Sequence, residues 1–451
     1  MAPPAMPTTH LNQHVSDPTV MRDRVLGHIS NDIIPERNLG SFVSTSIEGP
    51  AQQLMLENYC KNLACANEYP SIKDLEKRCV NMIANLWGSP ESVDHIGAAT
   101  TGSSECLFLA ILALKRNWQS RNSHLFSSRR MNLIVGSHAH VAVHKAAENL
   151  DIEVKILHVS DASEYKFDST QLEPALDEGT IGVVLILGNT YTGGFDPILE
   201  VASILDDYED RTGVDIPIHV DAASGGFVAP FSGVSPSTWG FPIPRVKSIN
   251  ASGHKFGMVS ATIGWIIWRD LQDLPDRMKH SSAYLLGTSE TFTMSYSQSS
   301  VGVVLQYYYL ARLGQEGFKH YIQASFKQAQ LFSNLLEKTG CFRCVNNTHF
   351  ASPATMTGCE CAVEQGIPLV AFYFNDWAKK HMPLLDEETL SRQLFQRGFS
   401  VPSCRLPMDG QCKSLMRVVV RPTTTGEILD ALLKEILNIL SSHNWVGSLK
   451  A

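Results

Sequence analysis

The 451-residue sequence predicts an α/β protein: a mostly parallel sheet with helices on both faces, followed by a smaller α+β unit. Short β-rich runs alternate with amphipathic helical stretches from Met131 onward, the signature of strands joined by helical crossovers. The pattern changes after one long helical stretch that begins at Val301. The chain is also too long for one small core, since domains usually hold about 100–200 residues.

Residues 1–20 lack hydrophobic periodicity and are expected to form a mobile leader within an N-terminal segment of residues 1–37. A large domain is expected over 38–325 and a small one over 326–451. The expected strands of the large domain are MNLIVG at 131, EVKILHV at 153, IGVVLIL at 181, IPIHVDA at 216, VKSINAS at 246 and TIGWIIW at 262. Stretches such as VHKAAENL and ILEVASILDDYEDR supply helices between them. Beyond the long helix, PLVAFYF at 368 and SLMRVVVR at 414 read as strands, and ETLSRQLFQRG and TGEILDALLKEILNILSS as helices.

Composition excludes several classes. At 44% apolar and 18% charged residues the chain has the balance of a folded domain, which excludes wholesale disorder. A formal charge of −8 without any basic run argues against nucleic acid as a partner. Apolar stretches such as Leu107 to Leu114 fall far short of the roughly 20 residues that span a bilayer, so no membrane partner is expected. The start of the chain lacks a secretory pattern, and ten irregularly spaced cysteines suit reduced thiols; a cytoplasmic location is expected. Cys341 and Cys344 with Cys359 and Cys361 approach zinc-ligand spacing, but the second pair is one residue too tight and no metal is expected.

Three short segments carry chemistry. Lys255, in Ser252-Gly253-His254-Lys255-Phe256-Gly257, follows a strand and sits among Gly, His and Phe, where a lysine can form a Schiff base if its neutral amine is accessible. Asp221 closes the strand IPIHV and precedes small residues; such a carboxylate can hold a pyridine nitrogen protonated, or equally cap a helix. Thr101-Gly102-Ser103-Ser104-Glu105 opens a helix, where hydroxyls and free N–H groups favour an anion such as phosphate. A phosphate cradle, a ring-nitrogen carboxylate and an imine-forming lysine together are what pyridoxal 5'-phosphate requires.

With these residues in view, the chain resembles the glutamate decarboxylases among the group II pyridoxal-phosphate-dependent decarboxylases. The similarity runs from Asn38 to Ser441, on NLGSFVST, NEYPSIKDLEKRCVNMIANLW, TTGSSEC, GNTYTGGFDPI, HVDAASGGFVAPF, SGHKFG and MRVVVRP. The resemblance implies the aspartate-aminotransferase-like fold, fold type I, and a site assembled from two chains, so at least a homodimer. It implies that Lys255 carries the cofactor, that Asp221 partners its ring nitrogen, and that Ser103, Ser104, Ser252 and His254 neighbour its phosphate. Thr190 becomes a ring-side contact and Ser297 a phosphate contact given across the dimer interface. Arg417 matches the anchor of the substrate α-carboxylate, and Tyr284 matches a mobile-loop tyrosine that donates a proton. Ser41, Phe42 and Asn62 match the segments that receive the distal carboxylate.

Some positions depart from the family pattern. His140 stands where these enzymes carry a glutamine over the ring, Cys65 replaces an aspartate, and Ser46 replaces an aromatic residue. These changes lie around the substrate more than at the catalytic core. The expected activity is α-decarboxylation of an acidic L-amino acid, with L-aspartate to β-alanine slightly preferred over L-glutamate to 4-aminobutyrate. A second alternative is a non-catalytic protein that binds the cofactor and acts through interactions.

Overall fold

The computed structural model describes residues 8–11, 13–64, 67–90, 94–123, 129–259, 262–282, 289–345, 366–408 and 413–443. Three helices, α1 (Pro18–Ile29), α2 (Gly49–Asn58) and α3 (Pro70–Leu86), precede the large sheet. Its strands are β1 (Ile96–Thr100), β2 (Asn132–Gly136), β3 (Glu153–Leu157), β4 (Thr180–Ile186), β5 (Ile218–Asp221), β6 (Val246–Ser252) and β7 (Gly264–Trp268), in the order β1-β7-β6-β5-β4-β2-β3. From β6 to β3 the neighbours are parallel, whereas β7 lies antiparallel between β6 and β1.

The parallel strands read as near-continuous apolar runs because helices cover both faces of the sheet, and all residues of β2 and β4 are buried. The connectors are α4 (Ser103–Arg121), α5 (Val141–Asn149) and α6 (Ile198–Thr212), with the short α7 (Ala229–Ser232) after β5. The six sequence-predicted strands are all present. The antiparallel run of β7 follows from its connection, since the few residues between Ser252 and Gly264 are too short for a helical crossover. Because β1 is antiparallel to β7, it points the same way as the parallel strands. The carboxyl ends of β1, β2, β4, β5 and β6 therefore share one edge, where α/β sheets bind ligands.

A two-stranded ribbon, β8 (His280–Ser282) and β9 (Ser289–Thr291), precedes the long helix α8 (Val301–Lys338). Gly314 interrupts α8 with φ 56° and ψ −168°. The earlier part of α8 packs Leu305, Tyr309 and Phe318 into the main core, and its last turns pack Phe332 and Leu336 into a second one. The proposed boundary between residues 325 and 326 falls within this helix, between Ile322 of the main core and Ala329 of the second. The second core belongs to an antiparallel sheet ordered β10-β11-β13-β12, made of β10 (Phe342–Cys344), β11 (Leu369–Phe374), β12 (Ser403–Arg405) and β13 (Ser414–Val419). Helices α9 (Asp376–His381), α10 (Glu387–Gln396) and α11 (Gly426–Ser442) accompany it, and α11 buries Leu432, Leu433, Ile436 and Ile439 along one stripe. No helix among the described residues is long and apolar enough to cross a membrane.

Candidate active site

A cavity of about 310 Å³ opens at the carboxyl edge of the large sheet, at the small end of the roughly 300–1,000 Å³ usual for ligand pockets. Each wall is the end of a strand. Lys255 and His254 follow β6, Asp221 ends β5, Gly188 and Thr190 follow β4, His140 follows β2, and Ser103 and Ser104 open the helix after β1. The structure thus gathers Ser103, Ser104, His140, Thr190, Asp221, Ser252, His254 and Lys255 around one space.

At the helix end, Gly102 adopts φ 152°, a conformation open to glycine, and delivers the chain into α4. The first N–H groups of α4 have no partner inside the helix, which leaves them for an anion. Ser103 Oγ lies 2.7 Å from Ser252 Oγ, so two hydroxyls from separate elements meet beside this helix start. His254 Nδ1 lies 2.9 Å from the carbonyl of Ile263, and burial pushes its imidazole below the ordinary value. His140 accepts the Ala142 N–H at Nδ1, 3.2 Å away, as the N-cap of α5. Burial lowers this imidazole too; Asp221 opposes that effect and Lys255 adds to it.

Lys255 Nζ donates to Ser224 Oγ at 3.2 Å. Burial pushes its ammonium down to about 8; the Asp221 carboxylate pulls the other way, and the Arg417 charge lowers it further. Asp221 accepts two hydrogen bonds on one oxygen, Oδ1, from Ala223 N–H and Asn250 Nδ2, each at 3.1 Å. Among the described residues nothing donates to its Oδ2, and the residue lines the cavity.

The segment before α2 and Arg417 lie beside Lys255 without lining this cavity. Leu39 N–H and Gly40 N–H donate to Ser400 O, Val419 N–H donates to Leu39 O, and Ser44 N–H donates to His254 O. The guanidinium of the buried Arg421 holds the carbonyls of Ser41 and Val43 at 3.1 and 3.2 Å. Phe42 is thereby pinned with its ring centroid 5.1 Å from Lys255 Nζ and 4.8 Å from Arg417 Cζ. Arg417, on β13, donates to Thr190 O at 2.5 Å and Gly40 O at 2.9 Å, while its buried Nε has no acceptor. One more acceptor group, such as a carboxylate, would complete it.

Other expected residues lie elsewhere. Asn62 Nδ2 donates to Ser297 Oγ at 3.2 Å, and neither residue lines the Lys255 cavity. Ser41 spends its hydroxyl on the N–H of Val43 at 3.2 Å. Tyr284, Cys65, Cys359 and Cys361 lie outside the described residues. Cys341 and Cys344 are buried thiols whose burial raises their pKa values, Cys341 to about 11. Among the described residues no group of His, Cys, Asp and Glu is arranged to hold a metal ion. Ser224 and Asn250 were not singled out from the sequence, although both lie in the segments that carry Asp221 and Lys255; contacts across strands are what reveal them.

A seven-stranded sheet whose strand ends present a lysine, a carboxylate and a hydroxyl-lined helix start defines a class of cofactor-dependent enzyme. Residues 37–352 match the family model described as the pyridoxal-dependent decarboxylase conserved domain. The chain is 38% identical to glutamate decarboxylase 3 of Arabidopsis thaliana over 410 residues, which cover 90% of this chain and 77% of that one. It is 33% identical to the glutamate decarboxylase of Aliivibrio fischeri over 97% of this chain and 91% of that one. Among solved structures, Lactobacillus brevis glutamate decarboxylase superposes with a TM-score of 0.89 at 29% identity, covering 98% of this chain and 97% of that one. The chain belongs to the group II pyridoxal-phosphate-dependent decarboxylases, in the glutamate decarboxylase family. It has fold type I and is a pyridoxal-phosphate-dependent amino-acid decarboxylase. The cavity suits that cofactor: it offers a carboxylate oxygen that accepts no hydrogen bond among the described residues, an amine with a lowered pKa and paired hydroxyls at a helix start.

Proposed function

We propose that this enzyme removes the α-carboxylate of L-glutamate to give 4-aminobutyrate. The relatives in plants and a bacterium are named glutamate decarboxylases, and they support glutamate over the aspartate preference drawn from His140, Cys65 and Ser46. The observation that carries the reading is the convergence of Lys255, Asp221 and the Ser103–Ser252 pair on one cavity, with Arg417 across Phe42 from the lysine.

Lys255 would hold the cofactor through its amine, Asp221 would serve its ring nitrogen, Ser103, Ser104, Ser252 and His254 would receive its phosphate, and His140 and Thr190 would contact its ring. Bound there, pyridoxal phosphate supplies an aldehyde for the substrate amine and a protonated ring that withdraws electrons from the breaking carbon–carboxylate bond. Arg417 binds the substrate carboxylate through guanidinium hydrogens that its bonds to Thr190 O and Gly40 O leave over. The apolar face of Phe42 limits water between Lys255 and Arg417, and a drier site favours departure of neutral carbon dioxide over retention of a charged carboxylate. Burial lowers the Lys255 ammonium to about 8, so more of it is neutral amine near neutral pH than for a free lysine. Tyr284 is retained as the donor that reprotonates the substrate carbon. Asn62 and Ser297, hydrogen-bonded to each other away from the cavity, are assigned to the surface that completes the site of a second copy in a homodimer.

The test is a substrate panel of L-glutamate, L-aspartate and L-cysteinesulfinate, with carbon dioxide release and the amine product measured for each. Glutamate turnover to 4-aminobutyrate is expected to lead the panel. Preferential formation of β-alanine from aspartate would overturn the assignment of substrate, and amine formation from none of the three would overturn the acidic class.

A further inference from the structure

We propose that Ser248, His219 and Asn250 form a one-way chain of hydrogen bonds whose last donor fixes the Asp221 carboxylate, making His219 a positioning residue for the reaction. The inference rests on the assignment of Asp221 to the cofactor ring nitrogen.

The chain is set by valence. Asn250 Nδ2 donates to Asp221 Oδ1 at 3.1 Å, and an amide turned the other way would set its oxygen against a carboxylate. Asn250 Oδ1 therefore faces His219 Nε2, 2.8 Å away, and since that oxygen only accepts, Nε2 carries the proton. Complete burial pushes the His219 imidazole below its ordinary value against the pull of Asp221, Asn250 and Ser248, which favours the neutral ring with Nδ1 as an acceptor. Ser248 Oγ, 2.8 Å from Nδ1, fills it by donating its hydroxyl hydrogen. Every donor points toward Asp221, from Ser248 through His219 and Asn250. Bonds in such a series polarise one another, and in a buried setting they act at low dielectric.

Register makes the arrangement. His219 and Asp221 are two apart on β5 and so share a face; Ser248 and Asn250 hold the same relation on the neighbouring β6. The pairs His219 with Ser248 and Asp221 with Asn250 lie opposite each other. His219 and Asn250 are fully buried and Ser248 is nearly so, and the histidine lines no part of the cavity. Among the described residues its hydrogen-bonded link to the site runs through Asn250. With Asn250 and Ala223 both on Oδ1, the carboxylate plane is fixed and Oδ2 is left for the ring nitrogen.

Two substitutions separate this role from simple packing. His219→Asn keeps a polar group near Ser248 but is too short to reach Asn250, whereas His219→Gln places an N–H near the position of Nε2. Cofactor-free protein would be prepared for each, its thermal midpoint recorded, and its dissociation constant for pyridoxal phosphate measured by equilibrium dialysis. His219→Asn is expected to bind about 10-fold more weakly, the upper end for one buried neutral hydrogen bond, and His219→Gln within about 3-fold of the unaltered chain. Ser248→Ala, a smaller change that leaves Nδ1 unfilled, is expected to weaken binding by about 3-fold and serves if His219→Asn does not fold. Unchanged affinity in His219→Asn, or equal losses in the Asn and Gln variants, would overturn the chain; so would unchanged affinity in Ser248→Ala. Asp221→Asn is the reference. If it binds as tightly as the unaltered chain, the assignment of Asp221 fails and the chain with it; if it alone loses affinity, only the chain fails.

Discussion

Lys255 is the residue on which the chemistry turns, and its environment makes a definite statement about pH. Its ammonium is pushed from 10.5 to about 8 in the folded chain, so folding disfavours the proton. The cofactor-free protein bears this cost in full below pH about 8, and it fades as pH rises through 10.5, above which the unfolded chain is neutral as well. Lys255→Met, of similar volume and no charge, is therefore expected to raise the thermal midpoint of the cofactor-free chain at pH 7, with the gain shrinking toward pH 10.5. A midpoint difference independent of pH would contradict the shift. At neighbouring positions, Asp221→Asn is expected to lower kcat by about 10²–10³-fold, the scale of losing one preorganised electrostatic group. Arg417→Ala is expected to lower kcat/KM for glutamate by about 10- to 100-fold, with steady-state kinetics as the check. Asp221 is legible because it ends an apolar strand with a group that is costly to bury, and Lys255 because it follows a strand among Gly, His and Phe, whereas Arg417 is reached through the family resemblance. Ser224 and Asn250 carry no such mark, since a serine among small residues or an asparagine inside VKSINAS acquires its role only from what lies across from it.

Among the elements, the edge that gathers the site depends on close approaches that no larger residue permits. A Cβ on Gly225 would stand 2.3 Å from the carbonyl oxygen of Leu187, joining the turn after β5 to the end of β4. Because that neighbour is backbone, Gly225→Ala must displace the segment that carries Gly188 and Thr190; a loss of about 1–3 kcal/mol in stability is expected from denaturant titration. The elements most visible in the sequence are those with apolar or amphipathic runs, such as β4, β7, α8 and α11. Strand β1, Ile-Gly-Ala-Ala-Thr, escaped notice because Gly and Ala have little strand propensity, and its place is imposed by pairing with β7. Gly314 was likewise silent in a stretch that otherwise reads as one continuous helix. The segment around Phe42 is held by carbonyl contacts to Arg421 and Ser400, long-range links that no local pattern reports.

For the whole molecule, cofactor binding and stability are linked. Arg417 and Arg421 come from the smaller sheet and the chain just beyond it, yet they hold Thr190, Gly40, Ser41 and Val43 beside the cavity of the larger one. A ligand bound by the folded chain stabilises it by about 2.7 kcal/mol at 100 times its dissociation constant. Pyridoxal phosphate is therefore expected to raise the thermal midpoint of the unaltered chain and to raise that of Lys255→Ala much less. The substrate is the feature least legible at this scale: the sequence departures at positions 46, 65 and 140 pointed to aspartate, while the named relatives over nine-tenths of the chain point to glutamate. The central claim is tested most directly by incubating the protein with pyridoxal phosphate, reducing it with borohydride and mapping the labelled peptide by mass spectrometry. The account predicts one pyridoxyl group on Lys255; a label on another lysine, or none, would contradict it.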